Sequence, residues 1–126
     1  MTTAYWCVLA AALMPYLFTG YAKFGDRPYD NRAPREFLEG ATGAKKRAHW
    51  AQLNSFEAFP AFAAAVIIAH LAGAAQATVD LLAVAFVLLR LVYGWAYITD
   101  RASLRSLVWL GGIACMVGLF VAAARA

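Results

Sequence analysis

Charge is what this sequence has least of. Only 14% of its 126 residues are Asp, Glu, Lys or Arg, against 63% hydrophobic, and the mean hydropathy is +0.62. A soluble domain of this size needs a charged surface to face water, and this composition does not supply one. Cysteine and histidine are nearly absent as well. Cys7 and Cys115 form no C-x-x-C and fall at different depths of their apolar runs, which leaves thiol-disulfide exchange, a disulfide and a metal centre without support. Two histidines, His49 and His70, are too few and too far apart for paired axial haem ligands. No Lys or Arg precedes the first apolar run: "MTTAYW" is not the basic leader of a secretory signal, and Lys23 comes after the run instead. The run reads as a retained first helix.

Apolar length is what is present. Residues 4–24, 47–74, 78–99 and 103–124 each reach the ~20 residues that carry a helix across a bilayer. They predict an all-α integral membrane four-helix bundle, one domain over residues 1–126, without repeats. Pro15 and Pro60 fall inside helices, which membrane bundles tolerate when the freed carbonyls find partners.

The net charge of +4 sits beside the membrane and carries no nucleic-acid signal. Lys23, Arg27, Arg32, Arg35, Lys45, Lys46 and Arg47 flank or fill the first connection, and Arg101 and Arg105 flank the third. By the positive-inside rule these connections face the cytoplasm and both termini are non-cytoplasmic. Contact with anionic membrane lipid would account for most of this charge. Within the first connection, "PREFLEG" predicts a short helix opened by Pro34 and ended by Gly40. Thr78 and Asp80 read as capping and favouring the start of the third long helix, and Asp100 or Ser103 as capping the fourth.

Few polar groups lie inside the spans, and they share a depth. Glu57 is 11 residues past Lys46 and Arg90 is 10 short of Asp100, so both lie about 15 Å from the basic end at 1.5 Å per residue. Antiparallel register puts Asn54 level with Tyr93 and Trp50 level with Tyr97. Asn54 and Glu57 are spaced i, i+3, and Arg90, Tyr93 and Tyr97 i, i+3, i+7, giving each helix one polar stripe. Charges inside a membrane face a bundle interior and pair there, which predicts a Glu57–Arg90 salt bridge. Gln52, Asn54, Tyr93, Tyr97 and Arg105 offer more hydrogen-bonding capacity than one ion pair uses, which points to a polar site. His70, Trp95 and Trp109 read as packing or interfacial residues.

"RAHWAQLNSFEAFP", residues 47–60, resembles the second-helix signature of the MAPEG superfamily, the membrane-associated proteins of eicosanoid and glutathione metabolism, roughly R-x-x-x-A-x-x-N-x-x-E-x-F-P. "RLVYGWAY" and "LRSLVW" resemble its third helix and the start of its fourth, in the same order and over essentially the whole chain. The resemblance implies a homotrimer that binds glutathione, as co-substrate, in a cleft between neighbouring subunits. It assigns Gln52, Asn54, Glu57, Arg90, Tyr93 and Lys23 to glutathione binding. Arg105 would stabilise the thiolate with help from Tyr97. The implied activity is glutathione-dependent transfer or peroxidase chemistry on an apolar small-molecule substrate; the alternative is a non-catalytic lipid- or partner-binding member. A proton-coupled exporter working through Glu57 is disfavoured by Arg90 at equal depth. Trp50 and Ala58 depart from the leukotriene-C synthase branch of the family, which has arginine and tyrosine there; helix one of those enzymes ends with arginines that grip a glutathione carboxylate, and with only Lys23 and Arg27 in that region here, fewer guanidinium forks are available.

Overall fold

In a computed structural model covering residues 1–126, the chain forms five helices and no strand: α1 (Thr3–Lys23), α2 (Pro34–Glu39), α3 (Gly43–Leu71), α4 (Gln76–Ile98) and α5 (Ala102–Ala124). The four long helices are each long and apolar enough to cross a membrane. The short α2 starts on Pro34 at its first turn and stops at Gly40, where its sequence places it. α1 packs mainly on α3, and α4 on α5. α3 also touches α4 and α5, and α1 touches α4, so α1 and α5 occupy opposite corners.

The deep core joins α1, α3, α4 and α5 around Phe62, Val66, Val79, Phe86 and Leu119. Phe62 and Phe86 stack face to face, with ring centroids 3.9 Å apart. A second cluster near the basic end gathers Met14, Phe18, Ala51, Tyr93 and Val108. Cys7 and Cys115 are free and buried in the deep core.

The turns fix the register of the site. α3 ends in a Schellman motif: Gly73 adopts φ 82°, and the Ala74 N–H bonds the Ala69 carbonyl at 3.0 Å. α4 ends the same way with Asp100 in the left-handed position, φ 60°, and the Arg101 N–H on the Ala96 carbonyl at 2.8 Å. Asp100 therefore turns the chain out of α4 and does not cap α5. Asp gains less from glycine-like freedom, but its short polar side chain tolerates this conformation. Arg101 holds the cap position of α5 with no side-chain cap bond, and Ser103 lies inside the helix.

Two further expectations are corrected. Thr78 does not cap α4, which begins at Gln76 after Ala75. Asp80 serves a different helix: its Oδ1 accepts from the Ala4 N–H of α1 at 2.8 Å and from Gln76 Nε2 at 2.8 Å. A carboxylate at an N-terminus satisfies orphan donors wherever it comes from, and α4 passes beside the start of α1. His70 completes that network through Gln76, Nδ1 to Oε1 3.0 Å, and packs on Tyr5.

The basic residues of the first connection are used inside the protein. Lys45 Nζ donates to the Tyr21 and Phe24 carbonyls at 2.8 and 2.7 Å, closing the end of α1. Arg47 donates to the Ile98 carbonyl through Nε and Nη2 at 3.1 and 2.9 Å, closing α4. Arg27 covers the Phe37 ring and bonds the Phe37 carbonyl, and Lys46 bonds the Glu39 carbonyl. Cations at helix C-termini offset the orphan carbonyls and the dipole. Much of the positive charge first assigned to lipid contact thus ties the connection together.

Glycines in the spans serve packing within the chain. Gly111 and Gly118 of α5 receive Leu89 and Leu82 of α4, and Gly94 of α4 receives Phe18 of α1. A Cβ at Gly94 would fall 2.0 Å from Phe18 Cζ. Phe18 is held in the cluster of Met14, Ala51 and Val108 and has no free side to move to. Gly94→Ala is expected to destabilise the bundle by about 1–3 kcal/mol, the usual cost of overpacking. Thermal melts in mild detergent check this, with Gly20→Ala, where a Cβ meets nothing within 4 Å, as the control.

Candidate functional site

The polar stripes of α3 and α4 meet as their spacing requires, but the charges do not pair directly. Arg90 is 4% exposed. Its Nη2 donates to Asn54 Oδ1 at 2.9 Å and to Ser55 Oγ at 3.1 Å. Asn54 Nδ2 in turn donates to Glu57 Oε2 at 3.3 Å. A guanidinium only donates and a carboxylate only accepts, so the amide between them has one consistent orientation. The expected Glu57–Arg90 salt bridge is therefore replaced, within the chain, by a relay through Asn54. Equal depth was right; the shorter, adjacent Asn54 reaches Arg90 while Glu57 turns outward and is exposed. Ser55, which the sequence reading passed over, is anchored by its own bond to the Ala51 carbonyl at 2.8 Å.

Along α4 the stripe becomes a ladder of cations and rings. Arg90 lies over the Tyr93 ring at 4.0 Å, Tyr93 meets Tyr97 edge to face at 5.6 Å, and Arg105 lies over Tyr97 at 4.6 Å. Trp50 approaches Tyr97 at 6.2 Å, the level expected from register. The tight Schellman turn brings Arg105, in the first turn of α5, back over the end of α4.

Three cavities share walls along α3, α4 and α5. One of about 370 Å³ lies between Trp50, Leu53, Asn54, Glu57, Tyr93 and Tyr97. One of about 240 Å³ lies between Tyr93, Tyr97, Arg105, Ser106 and Trp109. The third, about 220 Å³, has Asn54, Glu57 and Arg90 at its polar end and Ala58, Ala61, Phe86, Gly112, Ile113 and Met116 beyond, with Trp109 again on its wall. Asn54 and Glu57 join the first to the third, and Tyr93 and Tyr97 join the first to the second. Five of the residues singled out from sequence thus line one branched groove in a single chain, namely Asn54, Glu57, Tyr93, Tyr97 and Arg105, and Arg90 forms its floor.

Gln52 and Lys23 are not brought there. Gln52 is two residues from Asn54, so at 100° per residue it points to another side of α3. Its Oε1 meets His49 Nδ1 at 3.2 Å. Lys23 ends α1, the helix diagonal to α5, and its ammonium sits over the Tyr29 ring at 4.8 Å, beside a separate cavity with Asp26, Arg27 and Lys45. Trp109 departs in the other direction: read as an anchor, it lines two of the three cavities. A tryptophan three residues after Ser106, on the same helical face, was the available signal. No group of His, Cys, Asp and Glu in the chain is placed to hold a metal.

No match to this chain is found among the curated proteins or among the solved structures. A family model described as the MAPEG family matches residues 3–125, nearly the entire chain. With four membrane-length helices, three of which line a groove carrying the polar residues of its second and third spans, the chain belongs to the MAPEG family as an integral, multi-pass membrane protein.

Proposed function

We propose that the protein is a membrane glutathione-dependent transferase or peroxidase acting on apolar electrophiles or lipid hydroperoxides. The observation that carries this reading is Arg105. It stands in the first turn of α5, on the ring of Tyr97, and faces a cavity of about 240 Å³ that a thiol could enter. Membership of a family of glutathione and eicosanoid metabolism supports the choice of thiol.

The division of labour follows from the groove. Asn54, Glu57 and Tyr93 offer hydrogen bonds to the polar tripeptide, with Arg90 behind them. A thiol is mostly protonated at neutral pH, and its thiolate is the nucleophile. The Arg105 guanidinium stays charged and favours the anion, and the N-terminal dipole of α5 adds to the positive potential. Tyr97 can donate a further hydrogen bond. The thiol proton leaves to solvent, sulfur bonds the electrophilic carbon, and the leaving group departs with the bonding pair. With a hydroperoxide, sulfur instead takes the distal oxygen and the alcohol is released after protonation. A second glutathione then reduces the sulfenic acid to disulfide and water.

The homotrimer belongs to the same proposal. Gln52 and Lys23, which the chain does not bring to its own groove, are the residues that a neighbouring copy would supply. Native mass spectrometry from mild detergent is expected to give three copies; monomers or dimers alone would contradict it. In the membrane both termini are expected outside the cytoplasm. Labelling of Thr3→Cys from the non-cytoplasmic side and Thr42→Cys from the cytoplasm, with the native cysteines buried, checks this.

Calorimetric titration with glutathione, paired with thiolate absorbance in the ultraviolet, tests the function itself. Saturable binding with thiolate formation supports it. Protein that neither binds glutathione nor forms its thiolate leaves the non-catalytic lipid- or partner-binding reading, which Trp50 and Ala58 favour by removing an arginine and a tyrosine from the groove.

A further inference from the structure

Where α1 ends, the chain turns around one of its own cations. Gly25 adopts φ 115°, and a Cβ there would fall 3.3 Å from Lys45 Nζ. That ammonium donates to the Tyr21 and Phe24 carbonyls and lies over the Tyr21 ring at 3.8 Å. Beside it is the cavity of about 220 Å³ that Lys23, Asp26, Arg27 and Thr42 also line. Its remaining walls, Ala22 and Ala41, are buried, so it is a recess in the fold and not an open patch. Arg27 is held by the Phe37 ring and carbonyl, and Lys23 by the Tyr29 ring. All these partners are neutral. They orient three cations without pairing their charge, and Asp26 is the one carboxylate among the lining residues.

Hydrogen-bond donors are left over as well. An ammonium has three N–H groups and a guanidinium five. Lys45 uses two on carbonyls and Arg27 uses one. The Thr42 hydroxyl stands before α3 without capping it. The depth of the recess follows from α1, whose 21 residues span about 30 Å, the thickness of the hydrocarbon core. Lys23 is its last residue, so the recess lies just beyond the hydrocarbon, at the level of the lipid phosphates. Tyr21, exposed beside it, fits the aromatic belt found at that level.

We propose that this recess binds a terminal phosphate, and that its source is the headgroup of an anionic phospholipid in the leaflet beside the basic connections. Basic pockets at the ends of membrane helices take acidic headgroups. A terminal phosphate carries about −1.5 to −2 at neutral pH and three acceptor oxygens, where a diester carries a single charge. It matches three cations opposed by one carboxylate, with donors free on Arg27, Lys45 and Thr42. Lys23, assigned above to a neighbouring groove, adds charge here and is asked for no bond. The recess shares no residue with the groove of α3, α4 and α5, and the inference stands whether or not that groove takes glutathione.

The test is native mass spectrometry of the delipidated full chain in a neutral detergent, with phosphatidic acid and phosphatidylglycerol added at equal concentration. Phosphatidic acid is expected to bind more tightly. One unit charge at this level is worth about fivefold in affinity. Thr42→Asp puts a carboxylate in the recess and supplies a preferred helix N-cap, so it is expected to weaken phosphatidic acid about fivefold without lowering the melting temperature. Asp26→Asn is expected to tighten it about fivefold. Asp30→Asn makes the same charge change in the same connection but in a neighbouring cavity, and keeps the acceptor of the Arg32 N–H. It is expected to leave binding unchanged. Equal shifts from Asp26→Asn and Asp30→Asn, or equal binding of the two lipids, would overturn the site in favour of diffuse attraction. Displacement of phosphatidic acid by excess glutathione would make the recess a carboxylate seat and overturn it as well. Inorganic phosphate and glycerol 3-phosphate, added without lipid, separate the two sources of phosphate. A melting temperature raised by either one, unchanged by phosphatidic acid and insensitive to both in Thr42→Asp, would overturn the lipid as the source.

Discussion

Arg105→Ala is expected to slow glutathione conjugation by about 10²–10³, the usual effect of removing one preorganised donor from a developing or resident anion. Few single changes in this chain should separate chemistry from folding so cleanly. Arg105 lies near the basic end of the bundle and is only partly buried, and the group that holds it is the face of Tyr97 at 4.6 Å. A cation on a partly exposed ring contributes about 0.5–1 kcal/mol, so the melting temperature should move little. The rate and the thiolate absorbance should fall together, because both report the anion that the guanidinium favours. Arg105→Lys keeps the charge but not the planar fork, and should fall between wild type and alanine. An Arg105→Ala protein that keeps full thiolate absorbance would place the sulfur elsewhere in the groove.

The contrast between what the sequence foretold and what it did not has a physical pattern. Long apolar runs are insensitive to detail, so the four spans were visible as runs, and the ends moved by a few residues. The largest shift is at α3, which starts at Gly43 and not at Arg47, because Lys45 and Lys46 are helical residues whose side chains reach back to carbonyls. Basic residues before a span look like a solvated loop until the helix ends that need donors are known. Asp80 carries the same lesson: Thr2 caps α1 through the Tyr5 N–H, but the Ala4 N–H finds its acceptor on another helix, 76 positions along the chain.

The site was legible where periodicity alone decides it. Arg90, Tyr93 and Tyr97 had to share a face, and Trp50 had to come level with Tyr97. Which of Asn54, Ser55 and Glu57 would reach Arg90 was beyond a depth argument, since these residues lie within one turn and differ in length and direction. Cavities were least legible of all. The apolar cavity walled by Trp109 is made by what Ala58, Ala61 and Gly112 lack, and an absence becomes a space only when the neighbouring helices are placed.

The relay at Arg90 makes a prediction opposite to that of a simple ion pair. Asn54→Leu removes the acceptor from a guanidinium that is 4% exposed, leaving it Ser55 Oγ and the Tyr93 ring. Interhelical hydrogen bonds between neutral groups in membranes average about 0.6 kcal/mol. A bond to a buried charge is worth about 1.5–3 kcal/mol, and the guanidinium keeps a single neutral side-chain acceptor. Asn54→Leu is therefore expected to cost about 1.5–3 kcal/mol. Arg90→Met removes the charge together with its need for a partner and fills similar space. The double variant should accordingly be more stable than Asn54→Leu alone, since replacing a buried polar pair by apolar groups is often neutral. Glu57→Gln keeps an acceptor for Asn54 at an exposed position, and should cost less than about 1 kcal/mol. Thermal melts of the four variants in one detergent decide the matter. If Glu57→Gln destabilises as much as Asn54→Leu, the carboxylate and the guanidinium pair directly in the assembled protein. If the double variant is the least stable of all, Asn54 and Arg90 act independently and the relay carries no coupling.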